Sequence, residues 1–326
     1  MNIFTKICQS YDIGLLKTNP KQILSGLVNQ VWEIETSLGK YIVKIINTNS
    51  IRARSEQEYR ATESLAAYLK DQAIPTVVAL KTNNSRILPM DNNQLVIVYP
   101  WVAGQQVCGH LGPMPPLYAQ EAGDILGRIH HLQLKEFDYN FSYSYVIDQT
   151  QWELYFRVGQ RTAWYDVLKP NFSKLLEYNQ RYLLANQNLQ QHQIYSHGDY
   201  FPHNLLWDNK NGCLIDWELA GLVNPEMELI LALILFSGLA TENSYSEASL
   251  KAFYQGYNKH QIKFVGQVED AFWGAIGKAW LNWLAYNMQQ SIAKEVIATY
   301  QSLIAILNKK ELLFKAVLDQ NRELHI

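Results

Sequence analysis

The sequence predicts an α+β protein with two lobes, an N-terminal antiparallel sheet with one helix followed by a larger, mainly helical lobe. Apolar and polar residues alternate at 31–35, and a glycine-containing turn at 37–40 separates them from the apolar segment 41–46, which predicts a β-hairpin. Beyond about residue 104, long segments with helical spacing dominate. The strand-like segment 193–216 interrupts them and is the most irregular part of this half.

The first lobe is predicted to occupy residues 1–103. A segment rich in Glu, Ala, Leu and Arg predicts its helix over 52–69. The apolar run at 95–99 predicts a further strand, which Pro100 ends. The connector that follows places a hinge between the lobes at about 98–104.

The second lobe is predicted to occupy residues 104–326. Apolar residues recur at helical spacing through most of it. The predicted helices span 117–134, 152–168, 172–190, 226–239, 247–257, 268–288 and 293–318.

Composition excludes several classes of protein. The chain has 326 residues, 48% of them hydrophobic and 18% charged, which is typical of a globular protein with sizeable cores. The formal net charge of −2 supplies no basic field for nucleic acid, so no nucleic-acid partner is expected. The 3 cysteines are scattered, which favours neither a disulfide framework nor a structural zinc site and is typical of a reducing compartment.

The N-terminal residues lack the long apolar core and the cleavage site of a secretory signal. The longest apolar stretch, 229–240, is shorter than the roughly 20 residues that a membrane-spanning helix needs. We therefore expect a cytoplasmic protein with no membrane partner; the sequence carries no signal of its oligomeric state.

Three oxygen-bearing side chains stand at informative positions in the irregular segment. Asp199 and Asn204 are five residues apart on a proline-containing loop, and Asp216 follows beyond a turn at 209–212. Because a hairpin returns its ends to each other, Asn204 and Asp216 are expected to face one site, and such hard oxygen ligands suit Mg²⁺. Asp199 is left to accept a hydrogen bond from a substrate hydroxyl. The segment 195–218 is thus a candidate catalytic loop.

This pattern resembles the catalytic elements of kinases, in which a loop aspartate, an asparagine five residues later and a metal-binding aspartate recur. The His-Gly-Asp run ending at Asp199 is similar to that of the aminoglycoside phosphotransferase and choline kinase superfamily, over about 23–290, with the strongest motifs at 195–230. The resemblance implies a two-lobed protein-kinase-like fold. It also implies transfer of the ATP γ-phosphoryl group to a hydroxyl of a small molecule, such as an amino alcohol or an aminoglycoside-like acceptor.

The resemblance also implies nucleotide-binding residues in the first lobe. Lys44, a single lysine in an apolar strand, would contact the nucleotide phosphates. Its expected partner is a helix glutamate, and Glu58 has the best spacing, 17 residues before Pro75. Glu56 and Glu63 remain alternatives.

Two further segments are similar to nucleotide-contacting parts of the family. Gly26 and Asn29 lie in a turn, 25–29, that resembles a phosphate-covering loop, although a single glycine is equally typical of a plain hairpin turn. At the hinge, the Pro100 carbonyl would accept from the adenine amino group, and the Val102 N–H would donate to the ring. Proline then stands where the loss of an N–H donor costs nothing.

The implied mechanism is direct phosphoryl transfer, which requires positioning and charge neutralisation more than covalent chemistry. Mg²⁺ on Asn204 and Asp216, with Lys44, would neutralise the phosphates. Asp199 would orient the hydroxyl and take its proton late, because a carboxylate with a reference pKa of about 3.9 is a weak base. His197 is expected to brace the loop rather than act as the base.

Departures from the protein-kinase pattern favour a small-molecule acceptor. Asp216 is not followed by the Phe-Gly pair of protein kinases, and Phe201 stands where they have a lysine. Glu228 is a candidate to replace a structural aspartate of relatives.

Acidic and aromatic residues of the second lobe suggest where an acceptor binds. Five acidic residues are candidates to contact a cationic acceptor, although acidic residues are equally typical of a solvated rim. They are Glu218, Glu226, Glu228, Glu269 and Asp270. Five aromatic residues form a stripe at helical spacing: Phe272, Trp273, Trp280, Trp283 and Tyr286. Core packing is the favoured interpretation, and a cation–π surface for an ammonium ligand is the alternative. We expect the acceptor to lie between this helix and the 197–204 loop.

Two other functions remain open from the sequence. A metal-dependent hydrolase would use His192, His197, Asp199 and His203 as ligands, although these lack a compact ligand repeat. A non-catalytic nucleotide-binding protein with a kinase fold would keep the same residues without turnover. Neither phosphate-binding motif of P-loop or Rossmann proteins occurs.

Overall fold

The computed structural model of this chain describes residues 2–23, 29–48, 54–83, 85–91, 94–137, 146–262 and 266–323. No helix in these ranges is both long and apolar enough to cross a membrane.

The N-terminal half is built on a five-stranded antiparallel sheet with strand order β1-β2-β3-β5-β4. Its elements are helix α1 (Ile3–Ser10), strands β1 (Lys21–Ile23), β2 (Gln30–Thr36) and β3 (Gly39–Ile46), helix α2 (Glu56–Asp71), and strands β4 (Ile87–Pro89) and β5 (Leu95–Pro100). The expected hairpin is β2 and β3, and the expected strand at 95–99 is β5, paired with β3.

Helices α1 and α2 pack against opposite faces of the sheet, and strand β5 is apolar on both sides. Val96 and Val98 pack in one cluster with Ile7 of α1, while Ile97 packs with Tyr59 of α2 on the other face. Helix α1 is additional to the one helix that the sequence predicts for this lobe. The predicted hinge and lobe boundary fall at the end of β5 and in the connection that follows it.

The C-terminal half is mainly helical. Its helices are α3 (Pro116–His131), α4 (Gln149–Val158), α5 (Tyr165–Leu168), α6 (Phe172–Leu189), α7 (Pro225–Phe236), α8 (Glu247–Asn258), α9 (Val268–Ile276), α10 (Asn282–Gln289), α11 (Ala293–Asn308) and α12 (Lys310–Glu323). Between α6 and α7 lie four short strands, β6 (Ile194–Ser196), β7 (Leu205–Asp208), β8 (Asn211–Leu214) and β9 (Gly221–Val223), paired β6 with β9 and β7 with β8.

Three of the expected helices are not continuous α-helices. The segment 268–288 contains a π-helical turn, Gly277–Leu281, between α9 and α10. The segment expected as one helix over 152–168 divides into α4 and α5, and Gly159 at the break lies so close to the Trp164 ring that an added Cβ would be 2.0 Å from it. The segment 293–318 divides at Lys309, whose ammonium donates to the carbonyls of Leu239 and Thr241.

Helix α7 forms the centre of this half. All its residues from Glu226 to Phe236 are buried, and it packs against α8 and α9. The two carboxylates in its first turn, Glu226 and Glu228, are both buried. Glu228 accepts from the Gly198 N–H in the loop between β6 and β7, whereas Glu226 accepts from the N–H groups of Gly266 and Gln267. Helix α7 therefore anchors the candidate catalytic loop through Glu228.

Candidate active site

The loop after β6 makes a tight turn at Gly198. This residue has φ of +73°, and a Cβ there would lie 2.2 Å from the Leu219 carbonyl oxygen. Its N–H donates to a Glu228 carboxylate oxygen at 2.7 Å. Only glycine fits this conformation and this close approach without strain, so the residue before Asp199 is held in one position.

His197 braces the loop, as expected. Its side chain is fully buried, with Nε2 2.9 Å from the Ile215 carbonyl oxygen and Nδ1 3.3 Å from the Asp199 backbone nitrogen. Since Asp199 N–H donates to Nδ1, the proton of the ring lies on Nε2 and is donated to Ile215. Both ring nitrogens are occupied, which leaves Asp199 as the candidate base.

Asn204 links Asp199 to the segment that carries Asp216. Its side-chain amide nitrogen donates to the Asp199 carbonyl oxygen at 2.9 Å and to the Asp199 carboxylate at 3.0 Å. Its backbone carbonyl accepts from the Ile215 N–H at 2.9 Å, which holds Asp216 next to it. Because the NH₂ group of Asn204 is used, its amide oxygen is the group left for a cation.

Lys44 connects the sheet to this loop. Its ammonium lies 2.7 Å from Asp216 and 2.7 Å from Glu218, and its side chain is only 10% exposed. Asn29 holds the same glutamate, donating to Glu218 at 2.6 Å, and accepts from the Asn47 N–H at 2.9 Å. The structure thus brings Lys44, Asp216, Asn204 and Asp199 together where the sheet meets the helical half.

The charges at this junction shift one another's ionisation. Burial alone would lower the pKa of Lys44, but Asp216 and Glu218 outweigh it and raise the pKa. Burial alone would raise the pKa of Asp216, but Lys44 holds it below its ordinary value. Burial and the neighbouring Asp216 raise the pKa of Glu218. Of the two carboxylates that contact Lys44, Glu218 therefore binds a proton more readily than Asp216 does.

The structure corrects the expected partner of Lys44. Glu58 lies at the N-terminus of α2, where its carboxylate accepts from the N–H and the hydroxyl of Ser55 in a capping box. The spacing of Glu58 from Pro75 could not reveal its role as a helix cap, because a capping box also uses a glutamate. The ion pair of Lys44 instead involves Asp216 and Glu218.

The two alternative glutamates make hydrogen bonds to other residues, although Glu63 also interacts electrostatically with Lys44. Glu56 pairs with Arg60 on the surface of α2. Glu63 is buried and accepts from the Tyr99 hydroxyl at 2.5 Å. Burial raises the pKa of Glu63 to about 7, although its hydrogen bond to Tyr99 acts in the opposite direction.

The remaining predicted nucleotide residues lie along the edge of the sheet. Gly26 and the rest of the turn 25–28 fall outside the described residues. Asn29 precedes β2 and is buried. Pro100 ends β5 opposite Tyr41, and Val102 follows it in the connection to α3, half-buried.

Glu228, the candidate to replace a structural aspartate of relatives, braces the loop by accepting from the Gly198 N–H. Its second carboxylate oxygen lies 2.8 Å from His130 Nε2, and His130 Nδ1 lies 2.8 Å from the Tyr257 hydroxyl. Burial opposes ionisation of Glu228, but His130 outweighs it and holds the pKa at about 2. The loop therefore rests on an ionised, buried carboxylate.

The ligand set of the alternative hydrolase does not form. Among the residues that the structure describes, no group of three or more His, Cys, Asp or Glu side chains could hold a metal ion. His197 uses both ring nitrogens within the loop.

Sequence reasoning missed one cation near the loop. Lys278 lies in an apolar helical segment and is electrostatically coupled to Asp199 and Glu228. The signal that could have found it is its isolation, because a lone lysine amid apolar helix residues requires a reason for being there.

Comparisons with known proteins agree on the family. A sequence model of the phosphotransferase enzyme family matches residues 20–266. No curated protein matches the sequence.

Solved structures of kinases share the fold at low sequence identity. A spectinomycin phosphotransferase in complex with ADP and spectinomycin is 14% identical, with 96% of this chain and 97% of that chain covered at a TM-score of 0.64. An amicoumacin kinase in complex with AMP-PNP and Ca²⁺ is 14% identical, with 93% of each chain covered at a TM-score of 0.65. A choline kinase from Cryptosporidium parvum Iowa II is 15% identical, with 96% of each chain covered at a TM-score of 0.59. The two-lobed kinase-like fold is thereby confirmed, and the chain belongs to the phosphotransferase enzyme family.

Proposed function

We propose that this kinase transfers the γ-phosphoryl group of ATP to a hydroxyl group of a small molecule, with Mg²⁺ as the metal. Amino alcohols and aminoglycoside-like compounds are the first acceptors to consider. The observation that carries the proposal is the junction itself, where the Lys44 ammonium lies 2.7 Å from Asp216, while Asn204 links Asp216 to Asp199.

The donor set at the junction fits Mg²⁺. Asp216 offers a carboxylate and Asn204 an amide oxygen, and Mg²⁺ takes such ligands from proteins while keeping waters and binding phosphates. When bound, Mg²⁺ supplies charge neutralisation for the phosphates. The protein's part is to hold these two oxygens in place, which the hydrogen bond between Ile215 and Asn204 does.

Lys44 is suited to bind phosphate oxygens. Its ammonium is already desolvated and aimed at the metal-binding aspartate, so a nucleotide phosphate would replace Glu218 as its partner. The raised pKa of Glu218 supports this exchange, since a carboxylate that takes up a proton readily gives up its ion pair more easily. The Pro100 carbonyl and the Val102 N–H would hold the adenine.

Asp199 is suited to position the acceptor hydroxyl. Two hydrogen bonds from Asn204 and one from its own N–H to His197 fix its backbone and carboxylate. A hydroxyl that donates to this carboxylate is oriented for attack, and the proton moves to Asp199 as the new bond to phosphorus forms.

The test is ADP release from Mg·ATP with a panel of hydroxylated amines, aminoglycosides and amino acids. Asp199→Ala is expected to lower turnover by about 10²–10⁴-fold while nucleotide binding is kept. Asp208→Ala, which removes an exposed carboxylate from the neighbouring hairpin, is the control and is expected to retain turnover. Equal turnover in Asp199→Ala and the wild type would refute the assignment of Asp199. Nucleotide binding without turnover on any acceptor would favour the non-catalytic alternative.

A further inference from the structure

The connection between α2 and β4 is hydrogen-bonded to β8, although it belongs to the N-terminal half. The Leu214 N–H donates to the Pro75 carbonyl at 2.8 Å, and the Leu214 carbonyl accepts from the Val77 N–H at 3.0 Å. These two bonds form a parallel bridge between Thr76 and Leu214. Thr76 is thereby fixed beside the end of β8, where the chain is about to reach Asp216.

The side chain of Thr76 binds the residue that follows Asp216. The Trp217 indole N–H donates to the Thr76 hydroxyl oxygen at 2.6 Å. The same hydroxyl lies 3.0 Å from the Leu214 carbonyl oxygen and 3.3 Å from that of Val77, and its single proton is available for the nearer one. Thr76 is 5% exposed and Trp217 is fully buried, so water does not compete for these bonds.

Asp216 has a backbone conformation that needs support from its neighbours. Its φ of 65° and ψ of 70° lie in the left-handed region, which is unfavourable for a residue with a Cβ and persists where the surroundings hold it. On the N-terminal side, the Ile215 N–H donates to the Asn204 carbonyl, and the Ile215 carbonyl accepts from His197. On the C-terminal side, the chain is held through Trp217.

Several contacts on that C-terminal side come from the N-terminal half of the protein. The segment that Trp217 begins packs against α2. The Arg54 guanidinium, just before α2, donates to the Ala220 carbonyl at 3.0 Å. The same half carries Lys44, whose ammonium lies 2.7 Å from Asp216. The half that supplies the phosphate-binding lysine therefore also directs the chain after Asp216.

The Thr76 hydroxyl is bonded on both sides of Asp216. It donates to the Leu214 carbonyl, two residues before the aspartate, and accepts from the Trp217 indole, one residue after it. One oxygen atom thus fixes the two ends of a four-residue segment whose interior holds the left-handed residue. The direction of the Asp216 carboxylate depends on these two fixed points.

We propose that Thr76 is a positioning residue for the metal, because its hydroxyl holds Asp216 in the conformation that binds Mg²⁺. Thr76 acts through Trp217 and Leu214 and does not contact the ion itself. The inference rests on the proposed function and deepens it, since metal binding by the helical half then depends on a hydroxyl of the N-terminal half.

The test measures how much Mg²⁺ strengthens nucleotide binding. Calorimetry gives the affinity for AMP-PNP with Mg²⁺ and with EDTA, and the ratio of the two is the metal-dependent gain. Thr76→Val keeps the shape and removes the hydroxyl, and we expect it to lower this gain by about 10–100-fold, as for other residues that hold a metal ligand in place. The affinity in EDTA should be unchanged. Thr76→Ser keeps the hydroxyl and should restore most of the gain.

A matched control separates positioning from folding. Thr299→Val makes the same substitution at a buried threonine of α11, whose hydroxyl donates to the Glu295 carbonyl at 2.7 Å, and should keep the metal-dependent gain. All variants are measured below their own melting temperatures. A wild-type gain in Thr76→Val, even with a lowered melting temperature, would make the hydroxyl purely structural and overturn the inference. An equal loss of affinity with Mg²⁺ and with EDTA would overturn it as well.

A second pair of variants tests the route through the indole. Trp217→Phe removes the donor, so adding Thr76→Val should cost less of the metal-dependent gain than it does in the wild type. The same full loss in both backgrounds would overturn the role of Trp217.

The binding measurement is independent of turnover. A wild type that gains affinity from Mg²⁺ but phosphorylates no acceptor would refute only the proposed function. In that case, a gain that falls in Thr76→Val and returns in Thr76→Ser would still support the inference.

Discussion

A carboxylate oxygen of Glu228 accepts the Gly198 N–H at 2.7 Å, immediately before the candidate catalytic residue Asp199. The other oxygen of the same carboxylate faces His130 of α3. One buried side chain in the first turn of α7 thus ties the loop to a helix that follows the sheet directly in the chain. The position of Asp199 is a consequence of the helical core as well as of the loop sequence.

Removing this carboxylate is expected to damage both stability and activity. Glu228→Ala leaves the Gly198 N–H and His130 buried without their acceptor, and we expect the free energy of unfolding to fall by about 3–5 kcal/mol. Glu228→Gln keeps an oxygen for Gly198 and should lose less. Urea unfolding measures both, and Glu247→Ala, which removes an exposed carboxylate, is the control. Unfolding of Glu228→Ala at the wild-type midpoint would show that the contact contributes little.

The tight turn at Gly198 gives a second prediction. Gly198→Ala places a Cβ 2.2 Å from a backbone oxygen at a φ of +73°. We expect a loss of about 2 kcal/mol or more in stability and at least a tenfold loss in kcat, since the loop must shift. Gly109→Ala is the matched control, because nothing lies within 4 Å of a Cβ there, and its stability should be unchanged or slightly higher. Similar losses in the two variants would mean that the effect is not the contact at Leu219.

Much of the fold could be predicted from local pattern. The hairpin of β2 and β3 and the strand β5 follow from alternation and from one apolar run, which are properties of neighbouring residues. Helix α1 was not predicted, although Phe4, Ile7 and Cys8 have helical spacing and pack on the sheet. The breaks in the predicted long helices could not be read from periodicity, because they depend on contacts such as that between Gly159 and the Trp164 ring.

From the sequence, only the part of the candidate site that lies on one continuous segment could be predicted. Asp199, Asn204 and Asp216 lie on one loop and hairpin, so their spacing was enough to predict that they converge. The partners of Lys44 are 172 and 174 residues away in sequence, and Glu58 had the spacing of a partner while serving as a helix cap. Lys278 interacts electrostatically with Asp199 although the two are far apart in sequence, a relationship that no local pattern encodes.

Glu63 predicts a pH dependence of stability. Burial raises its pKa in the folded protein to about 7 from an ordinary value of 4.5, while Tyr99, Lys44 and Arg86 act in the opposite direction. The folded state therefore binds the proton more tightly, so this residue's contribution is fully present below pH 4.5 and is lost as the pH rises through about 7. The loss is of the order of 3 kcal/mol at most.

Replacing Glu63 with glutamine tests this directly. Glu63→Gln keeps an oxygen for the Tyr99 hydroxyl and removes the titration. We expect the variant to be more stable than the wild type at pH 8 and to lose that advantage at pH 5. Thermal melting across this pH range measures it, with Glu242→Gln, at an exposed position, showing the effect of removing a surface charge. A constant difference between Glu63→Gln and the wild type at every pH would contradict the prediction.

Removal of Trp280 is expected to lower stability without changing acceptor binding. Trp280 is buried and bonded to Ser302, so Trp280→Ala opens a cavity in the helical core and should lower the free energy of unfolding by about 3–5 kcal/mol. Because its indole is buried and donates to Ser302 of α11, the acceptor KM should stay at the wild-type value at a temperature where the variant remains folded. Urea unfolding and steady-state kinetics on the same preparations measure the two effects. A raised acceptor KM in Trp280→Ala without loss of stability would instead place the indole in the acceptor site.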